Sequence, residues 1–322
     1  MSEVFEKLTH FVQKVFKTTV EIFLEALRLS PNAQGYVLGS ITELLLKREL
    51  ESLGFEVKRI REKWEGRKHP RHHGDFYFRK TDTPHWFVLE AKGVKSNSEK
   101  WHRLYNLENL KRFLIAHAEK IHWIDQKNEI EPQVTRWLRE HLPRLFDDYA
   151  QTLYEYEEVQ DYLQSPPKRA TSKFESMTAL RGYSREQLTA LIEERLDYVM
   201  SRVKVLETHF VAGTSGSGER TLATPRKDEF NVVAVDIVLR YPEHKFLFAN
   251  PRHLSPSGSD PNHLQQNYVI GFVFEDEQGV PTLSVSEEWL DDFMEVYATL
   301  RPEDSVEEKD MQVDTRYRKV DD

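Results

Sequence analysis

The sequence predicts an α/β fold, and three observations support this class. Two segments near the N-terminus, 2–30 and 34–53, carry apolar residues at helical spacing. Three short segments follow at 55–61, 75–80 and 85–92, and their length and pattern are typical of strands. Further strand-like segments occur towards the C-terminus, so we expect additional α/β or α+β structure in the C-terminal region.

The N-terminal part of the chain is predicted to be helical. Its first apolar pattern stops before Pro31, because proline lacks the N–H that would continue the helix. The second pattern ends at Gly54, a residue type that commonly follows the last turn of a helix. We therefore assign residues 1–34 to an N-terminal helical segment.

The centre of the chain contains the clearest candidate boundary. A helical region is expected from residue 98 to residue 164, with breaks near Glu131-Pro132 and at Pro143. The next segment, SPPKRATSKFES at 165–176, has the composition of a linker. It separates a core at 35–164 from a second region at 177–300, and residues 301–322 are expected to form a disordered acidic tail. In the second region we expect a helix over 184–210, strands over 230–240, 245–250 and 267–274, and a helix over 286–299.

The composition excludes several classes of protein. The 322 residues contain no cysteine, which rules out disulfides and thiolate zinc sites and fits a reducing compartment. No run approaches the ~20 apolar residues that cross a bilayer, and the N-terminus lacks the apolar core of a signal peptide. We therefore expect a cytoplasmic protein without membrane contact. The net charge of −9 does not favour nucleic acid as a partner, although local charge can differ.

The segment HHGDFYFRKTDTPHWFVLEAKGV, residues 72–94, carries the candidate catalytic residues. A hairpin with its turn at Asp82-Thr83 pairs residues whose numbers sum to 165, which sets Asp75 opposite Glu90 with Cβ atoms ~5 Å apart. The two-residue period of a strand puts Lys92 on the face of Glu90. The other face receives an apolar set, Phe76, Phe78, Phe87 and Leu89. We expect one face to be core and the other to carry the chemistry.

Two carboxylates this close repel each other and raise each other's pKa unless a cation is bound. Magnesium prefers one or two carboxylates plus waters and phosphate oxygens. Such an ion polarises a phosphoryl oxygen, and a nearby ammonium stabilises the developing charge or helps to activate the water. Asp75, Glu90 and Lys92 therefore predict hydrolysis of a phosphodiester with Mg²⁺, for which Mn²⁺ can substitute.

The acid-x-lysine motif is weak evidence by itself, because the chain contains four other examples. They begin at Glu56, Asp125, Glu243 and Glu307, and none of them completes a strand, a turn and a strand with an aspartate in the right place. The alternative interpretation of residues 75–92 is a surface hairpin with incidental charges.

This arrangement resembles the PD-(D/E)XK nuclease superfamily, and most of all its type II restriction endonucleases. The preceding segment matches the lead-in G-x-x-x-E…L-x-x-x-G-F that is common in the family, through Gly39, Glu43, Leu50, Gly54 and Phe55. Gly74 stands where the family name has proline. The resemblance covers roughly residues 35–125 and implies a restriction-endonuclease-like core, α-β-β-β-α-β, in which helices flank a mixed central sheet.

The resemblance also implies residue roles and partners. Asp75, Glu90 and the Ala91 carbonyl would be metal ligands, Lys92 the catalytic lysine, and Glu43 an auxiliary acid or a ligand of a second metal. A free-standing chain of this kind cuts both strands of double-stranded DNA as a homodimer. A restriction enzyme is accompanied by a cognate DNA methyltransferase in its prokaryotic host.

Local excess of positive charge predicts where DNA is bound. Residues 58–73 contain seven Lys or Arg against two Glu and lie between the first two strands, beside the candidate site. A solvated charged loop is the alternative. Other basic residues follow Lys92 or lie in the later loops. The complete set of predicted DNA contacts is Arg59, Arg61, Lys63, Arg67, Lys68, Arg71, Lys95, Lys100, Arg226, Lys227 and Arg252.

Residues 230–254 echo the nuclease hairpin, with Asp236 in the place of Asp75. Hairpin pairing would put Ala249 and Pro251 where the glutamate and lysine belong, so this segment is either a degenerate copy or an ordinary hairpin. For the whole chain, two alternatives to a phage-defence restriction enzyme stay open. One is a structure-selective or non-specific repair or antiviral nuclease, and the other is an inactive nucleic-acid-binding module.

Overall fold

The structure, a computed structural model, describes residues 3–61, 73–104, 107–141, 202–210, 224–258, 260–276 and 278–315. Over these residues the chain is mixed α/β, with a mixed central sheet and flanking helices, so the predicted class is confirmed. Among the helices in these ranges, none has the length and apolar character that crossing a membrane requires.

The N-terminal helices differ from the single helix expected over 2–30. The chain breaks at Lys17, which has a positive φ of 56°, and Thr19 caps the next helix by accepting the Ile22 N–H. Ser30 caps the third helix, with Pro31 in its first turn. The helices are α1 (Glu3–Phe16), α2 (Val20–Leu29), α3 (Pro31–Ser52), α4 (Ser98–Trp101), α5 (Leu107–Ala116), α6 (Ile130–His141) and α7 (Phe293–Tyr297).

The strands form two sheets. The larger sheet has the order β1-β2-β3-β5-β6 and consists of β1 (Phe55–Arg59), β2 (Phe76–Lys80), β3 (Phe87–Gly93), β5 (Val232–Asp236) and β6 (Phe246–Ala249). Its β3 and β5 run parallel and its other neighbours antiparallel, which makes it mixed. The smaller, antiparallel sheet has the order β4-β7-β8 and consists of β4 (Val203–His209), β7 (Asn267–Glu275) and β8 (Pro281–Val285).

The β2–β3 hairpin has the predicted register. Phe76 pairs with Leu89, and Phe78 pairs with Phe87, so the paired numbers sum to 165 as expected. The predicted apolar face is also confirmed, because all four residues pack in one cluster with residues of α3 and α7.

The opposite face of the hairpin is core as well, which corrects the expectation that it carries only chemistry. Tyr77, Trp86 and Val88 are buried there in a cluster that includes Leu206 of β4 and Ile270 of β7. The larger sheet is therefore covered on one face by helices and on the other by the smaller sheet. The polar residues occupy only the end of the hairpin.

The larger sheet crosses the boundary that the sequence placed at residues 165–176. Strand β5, from the expected second region, pairs with β3 of the expected core, from Leu89–Val232 to Gly93–Asp236. All five residues of β5 are buried, as a parallel strand between two neighbours requires. The linker segment itself lies outside the described residues.

Other predicted elements differ from the observed ones where pairing with a distant segment of the chain determines the local structure. The helix expected over 184–210 is wrong for its described part, because Val203–His209 pairs with β7 as a strand. Only Phe293–Tyr297 is α-helical within the helix expected over 286–299. The helical region from residue 98 contains α4, α5 and α6, and α6 begins at Ile130, next to the predicted break.

The C-terminal segment is ordered up to residue 315, so the expectation of a disordered tail is wrong for this part. The Val306 N–H donates to the Trp86 carbonyl at 2.7 Å, and the Asp314 N–H donates to the Arg59 carbonyl at 2.9 Å. Val306 and Asp314 are both buried, and their hydrogen bonds attach the segment to Trp86, which precedes β3, and to Arg59 of β1. Residues 316–322 lie outside the described ranges.

Candidate active site

The carboxylates of Asp75 and Glu90 lie side by side at the end of the β2–β3 hairpin. The Asp75 N–H donates to the Leu89 carbonyl at 2.9 Å, which continues the hairpin beyond Phe76. One oxygen of the Asp75 carboxylate, Oδ2, accepts the Ala91 N–H at 2.7 Å, and the Glu90 side chain is within hydrogen-bonding reach. The structure thus brings together the two acids that the hairpin register predicted.

Burial and mutual repulsion govern the charge of this pair. Burial, and then the Asp75 carboxylate, raise the pKa of Glu90 to about 7. Burial also raises the pKa of Asp75, although the Ala91 N–H and the Lys92 ammonium act in the opposite direction. Because ionisation of both acids is disfavoured in this way, a cation bound to them would offset the repulsion between their negative charges.

Lys92 lies against these acids and forms an ion pair with Glu90. Burial by itself would lower the pKa of Lys92, but the carboxylates of Glu90, Asp75 and Glu43 together raise it. The side chain is therefore held as an ammonium. This favours stabilisation of negative charge over acceptance of a proton from water.

Glu43 reaches the same region from α3. This helix buries Thr42, Leu46 and Leu50 along one stripe, and Glu43 flanks that stripe. Its carboxylate pairs with the Arg59 guanidinium at 2.8 Å and contributes to the raised pKa of Lys92. Arg59, a predicted DNA contact, instead lies beside the acids and acts to lower the pKa of Asp75.

The acidic side chains of the site supply only part of the donor set that a metal ion needs. Within the described ranges, no three His, Cys, Asp or Glu side chains converge closely enough to hold one, so Glu43 does not join the acid pair. The Ala91 N–H donates to the Asp75 carboxylate, on the side of β3 that faces β2. In an extended strand, the N–H and the C=O of one residue point to the same neighbouring strand. The Ala91 carbonyl therefore points towards β2, and two carboxylates with one carbonyl and waters fit Mg²⁺.

Gly74 occupies a position where the chain passes very close to β3. A Cβ atom there would lie 2.6 Å from Val88 Cγ1 and 2.8 Å from the Leu89 carbonyl oxygen. Both distances are too short for any side chain, including the proline of the family name. The close approach thus requires glycine at this position, and it holds the backbone before Asp75 against β3.

Asp236 is a buried polar residue near the site whose position the sequence did not reveal. It ends β5 beside Gly93, accepts the Thr42 hydroxyl and contacts His244 Nδ1, both at 2.6 Å. Since Thr42 precedes Glu43, this contact ties β5 to the helix that carries Glu43. The sequence signal that could have indicated this position is the segment VVAVD, an otherwise apolar strand that ends in an acid.

The pairing expected for residues 230–254 is wrong. Asp236 pairs with Phe246, whereas Ala249 pairs with Val233, so Ala249 does not stand opposite the aspartate. The segment forms the continuation of the larger sheet next to β3.

Three predicted DNA contacts, two of them adjacent in sequence, line one cavity. Arg226, Lys227 and Arg252 line a cavity of about 310 Å³. Their charges are partly compensated, because Arg226 pairs with Asp228 at 2.9 Å and Arg252 pairs with Asp304. The Lys227 ammonium donates to the Leu254 carbonyl at 2.5 Å.

The remaining predicted DNA contacts are dispersed. Lys95 is largely buried, pairs with Glu207 at 3.3 Å and lies over the Trp101 ring, which indicates a structural role. Lys100 is exposed. The Arg61 N–H donates to the Gln312 carbonyl. Lys63, Arg67, Lys68 and Arg71 lie outside the described residues.

Comparison with protein families, with curated proteins and with solved structures finds no match to this chain. The resemblance to the nuclease superfamily therefore depends on the residues and the geometry described above.

Proposed function

We propose that the chain is a Mg²⁺-dependent endonuclease that hydrolyses phosphodiester bonds in double-stranded DNA. Within that class, we propose a cytoplasmic, sequence-specific type II restriction enzyme of the PD-(D/E)XK superfamily. The observation that carries the proposal is the contact between the Asp75 and Glu90 carboxylates, with the Lys92 ammonium beside them.

The order of elements also supports this function. Helix α3, strands β1, β2 and β3, helices α4 to α6 and strand β5 follow the α-β-β-β-α-β order that the resemblance implies. Strand β4 interrupts this order but belongs to the smaller sheet. The parallel pairing of β5 with β3 makes the sheet mixed, as the family core requires.

In this proposal, each residue near the scissile phosphate has a distinct task. Asp75, Glu90 and the Ala91 carbonyl would hold Mg²⁺, which when bound polarises a phosphate oxygen and activates water. The Lys92 ammonium keeps its proton on Nζ and stabilises the negative charge that develops on the phosphate. The Glu43 carboxylate holds the Arg59 guanidinium beside the acids, where this guanidinium would lie next to the phosphate.

The cavity lined by Arg226, Lys227 and Arg252 is the proposed DNA contact in the second half of the chain. Guanidinium groups bind phosphates and guanine edges with two parallel hydrogen bonds. DNA would have to exchange with Asp228 and Asp304, which hold the two arginines in the free protein. A restriction enzyme also implies a cognate methyltransferase in the host.

Cleavage of supercoiled plasmid tests the proposal. We expect cleavage with Mg²⁺ or Mn²⁺ and none with EDTA. Asp75→Asn, Glu90→Gln and Lys92→Ala should each lower the rate by at least about 100-fold, since the first two remove proposed ligands of Mg²⁺ and the third removes the ammonium that acts on the phosphate. Glu56→Gln is the matched control, because Glu56 begins another acid-x-lysine triplet but pairs with Arg79 away from the site.

The products distinguish the proposed enzyme from its rivals. Discrete fragments, whose sequenced ends share one motif, support a restriction enzyme. A smear, or preference for branched substrates, would favour a non-specific or structure-selective nuclease. Binding of DNA without cleavage by the wild type would support an inactive module, and cleavage that persists in Asp75→Asn would exclude this site.

A further inference from the structure

Residues 229–231, which lead into β5, bond to the chain on both sides of the acid pair. The His73 N–H donates to the Glu229 carbonyl at 2.8 Å, and the Asn231 N–H donates to the Val88 carbonyl at 2.8 Å. Each of these partners, His73 and Val88, lies two residues before an acid of the candidate site. We call residues 229–231 the clamp, because they join the two segments that carry the acids.

The Asn231 side chain makes this arrangement possible by taking the place of a backbone carbonyl. In a regular parallel ladder, the N–H and the C=O of one residue bond to residues two positions apart on the neighbouring strand. Since the Val88 carbonyl accepts the Asn231 N–H, the Val88 N–H would donate to the Glu229 carbonyl. It donates instead to Asn231 Oδ1 at 2.7 Å, which leaves the Glu229 carbonyl for His73.

The other end of the Asn231 side chain is also bonded. Its amide nitrogen donates to the Asp304 carbonyl at 3.1 Å, so the amide is held at both ends and its oxygen faces Val88. The whole clamp is buried, since Glu229, Phe230 and Asn231 are 7%, 3% and 8% exposed. A buried group that loses its partner incurs the full cost of desolvation, so the clamp depends strongly on this one side chain.

A closed turn fixes the start of the clamp. The Arg226 N–H donates to Glu229 Oε1, and the Glu229 N–H donates to the Arg226 carbonyl, both at 3.2 Å. The turn lies near the acids, because the Glu229 carboxylate, after burial and Asp75, contributes to the raised pKa of Glu90. The Glu229 side chain thus sets the place from which the Glu229 carbonyl reaches His73.

The clamp acts where the hairpin is most tightly packed. A Cβ atom on Gly74, the residue after His73, would lie 2.6 Å from Val88 Cγ1. The next residue, Asp75, accepts the Ala91 N–H at 2.7 Å. A shift of His73 or Val88 would therefore move one acid relative to the other.

We propose that Glu229 and Asn231 are positioning residues. They hold the carboxylates of Asp75 and Glu90 at the separation that a divalent cation needs, and neither contacts the ion. This role rests on the proposed function, because it concerns the same cation site. The hydrogen bond from Ala91 to Asp75 reports on the geometry of that site without metal.

Asn231→Ala tests the side chain of the clamp. Without Oδ1, the buried Val88 N–H competes with His73 for the Glu229 carbonyl, so the two segments can no longer both be held. In the metal-free protein, we expect the Ala91 amide to exchange with solvent about tenfold faster, measured by NMR. In calorimetric titration, Mg²⁺ should bind about 10- to 100-fold more weakly, as when other groups that orient metal ligands are removed.

Ser286→Ala is the matched control for the loss of a buried hydrogen bond. Ser286 is 2% exposed, and its hydroxyl donates to the carbonyl of Ile270 in β7 at 2.8 Å. We expect this variant to lose stability in urea as Asn231→Ala does, but to keep the Ala91 exchange rate and the Mg²⁺ affinity of the wild type. A general loss of stability therefore does not imitate the expected result.

Two substitutions of Glu229 test the turn. Glu229→Ala and Glu229→Gln both remove the charge, but only glutamine keeps a side-chain oxygen that can accept the Arg226 N–H. We expect Glu229→Ala to bind Mg²⁺ at least about tenfold more weakly than Glu229→Gln and to show the faster exchange of Ala91. This pair also tests the proposal if Asn231→Ala does not fold.

A folded Asn231→Ala variant with the Mg²⁺ affinity of the wild type would overturn the proposal, as would equal affinities of the two Glu229 variants. Weaker Mg²⁺ binding with an unchanged Ala91 exchange rate would also overturn it, because the clamp would then not act through the geometry of the acids. A wild type that binds no Mg²⁺ contradicts the proposed function instead. The exchange rate of Ala91 in Asn231→Ala then supports the clamp if it rises and overturns it if it does not.

Discussion

At the scale of single residues, the charge of Glu90 decides how the candidate site behaves. Burial and the neighbouring Asp75 raise the pKa of Glu90 to about 7, while Lys92 counteracts part of this effect. When the pKa of a carboxyl group is higher in the folded than in the unfolded protein, the group contributes its full stabilisation of the fold only at pH values below its pKa in the unfolded protein. That stabilisation is lost as the pH rises through the folded pKa.

The substitution Glu90→Gln should therefore stabilise the metal-free protein above neutral pH. In EDTA at pH 8, we expect the free energy of unfolding to rise by about 1–3 kcal/mol relative to the wild type. The difference should shrink towards pH 5, where Glu90 of the wild type is protonated. Urea unfolding across this pH range measures it.

Glu56→Gln provides a control in which the pKa shift of the substituted carboxyl group has the opposite sign. The pKa of Glu56 is lowered because the hydrogen bonds and charges of Arg79 and Lys58 outweigh its burial, so its ionised form stabilises the fold. We expect this variant to be no more stable than the wild type at pH 8. A Glu90→Gln variant that is less stable than the wild type at pH 8 would contradict the described electrostatics.

At the scale of elements, the β2–β3 hairpin depends on a close approach at Gly74. Gly74→Ala should lower the free energy of unfolding by about 1–3 kcal/mol, because the added methyl group overlaps Val88 and the Leu89 carbonyl. Gly93→Ala is the matched control, since a Cβ atom there meets no atom within 4 Å. Thermal unfolding compares the two variants, and equal effects would contradict the close approach.

Helix α3 is held to β5 by the hydrogen bond from Thr42 to Asp236. Thr42→Val removes the donor and leaves the buried Asp236 with fewer partners, so we expect a loss of about 1–3 kcal/mol in stability. Thr42→Ser keeps the hydroxyl and should recover most of it. If the valine variant were as stable as the serine variant, this bond would not hold the helix.

At the scale of the whole molecule, the larger sheet unites segments that are far apart in sequence. A chain truncated after residue 164, the end of the predicted core, lacks β5 and β6 and exposes the edge of β3. We expect this fragment not to fold cooperatively, because the buried residues of β5 complete both apolar clusters of the sheet. A cooperative unfolding transition of the fragment would contradict a single continuous sheet.

The distance along the chain between interacting segments explains which features the sequence predicts. The period of the hairpin and its turn are local, so the pairing of Phe76 with Leu89 and the contact of Asp75 with Glu90 follow from spacing. The strand at Val203–His209 and the parallel partner of β3 depend on segments 58 residues or more away. No local pattern specifies such pairings, and the hydrogen bonds of Val306 and Asp314 with the sheet escaped prediction for the same reason.

The central claim is that Asp75 and Glu90 together bind a divalent cation. Titration calorimetry with Mg²⁺, in two buffers of different protonation enthalpy, tests it most directly. We predict binding that strengthens from about pH 6 to about pH 8 and releases protons near neutral pH, because the pKa of Glu90 is about 7. Asp75→Asn and Glu90→Gln should abolish binding and Glu56→Gln should retain it. Absence of binding by the wild type, or equal binding by all variants, would contradict the claim.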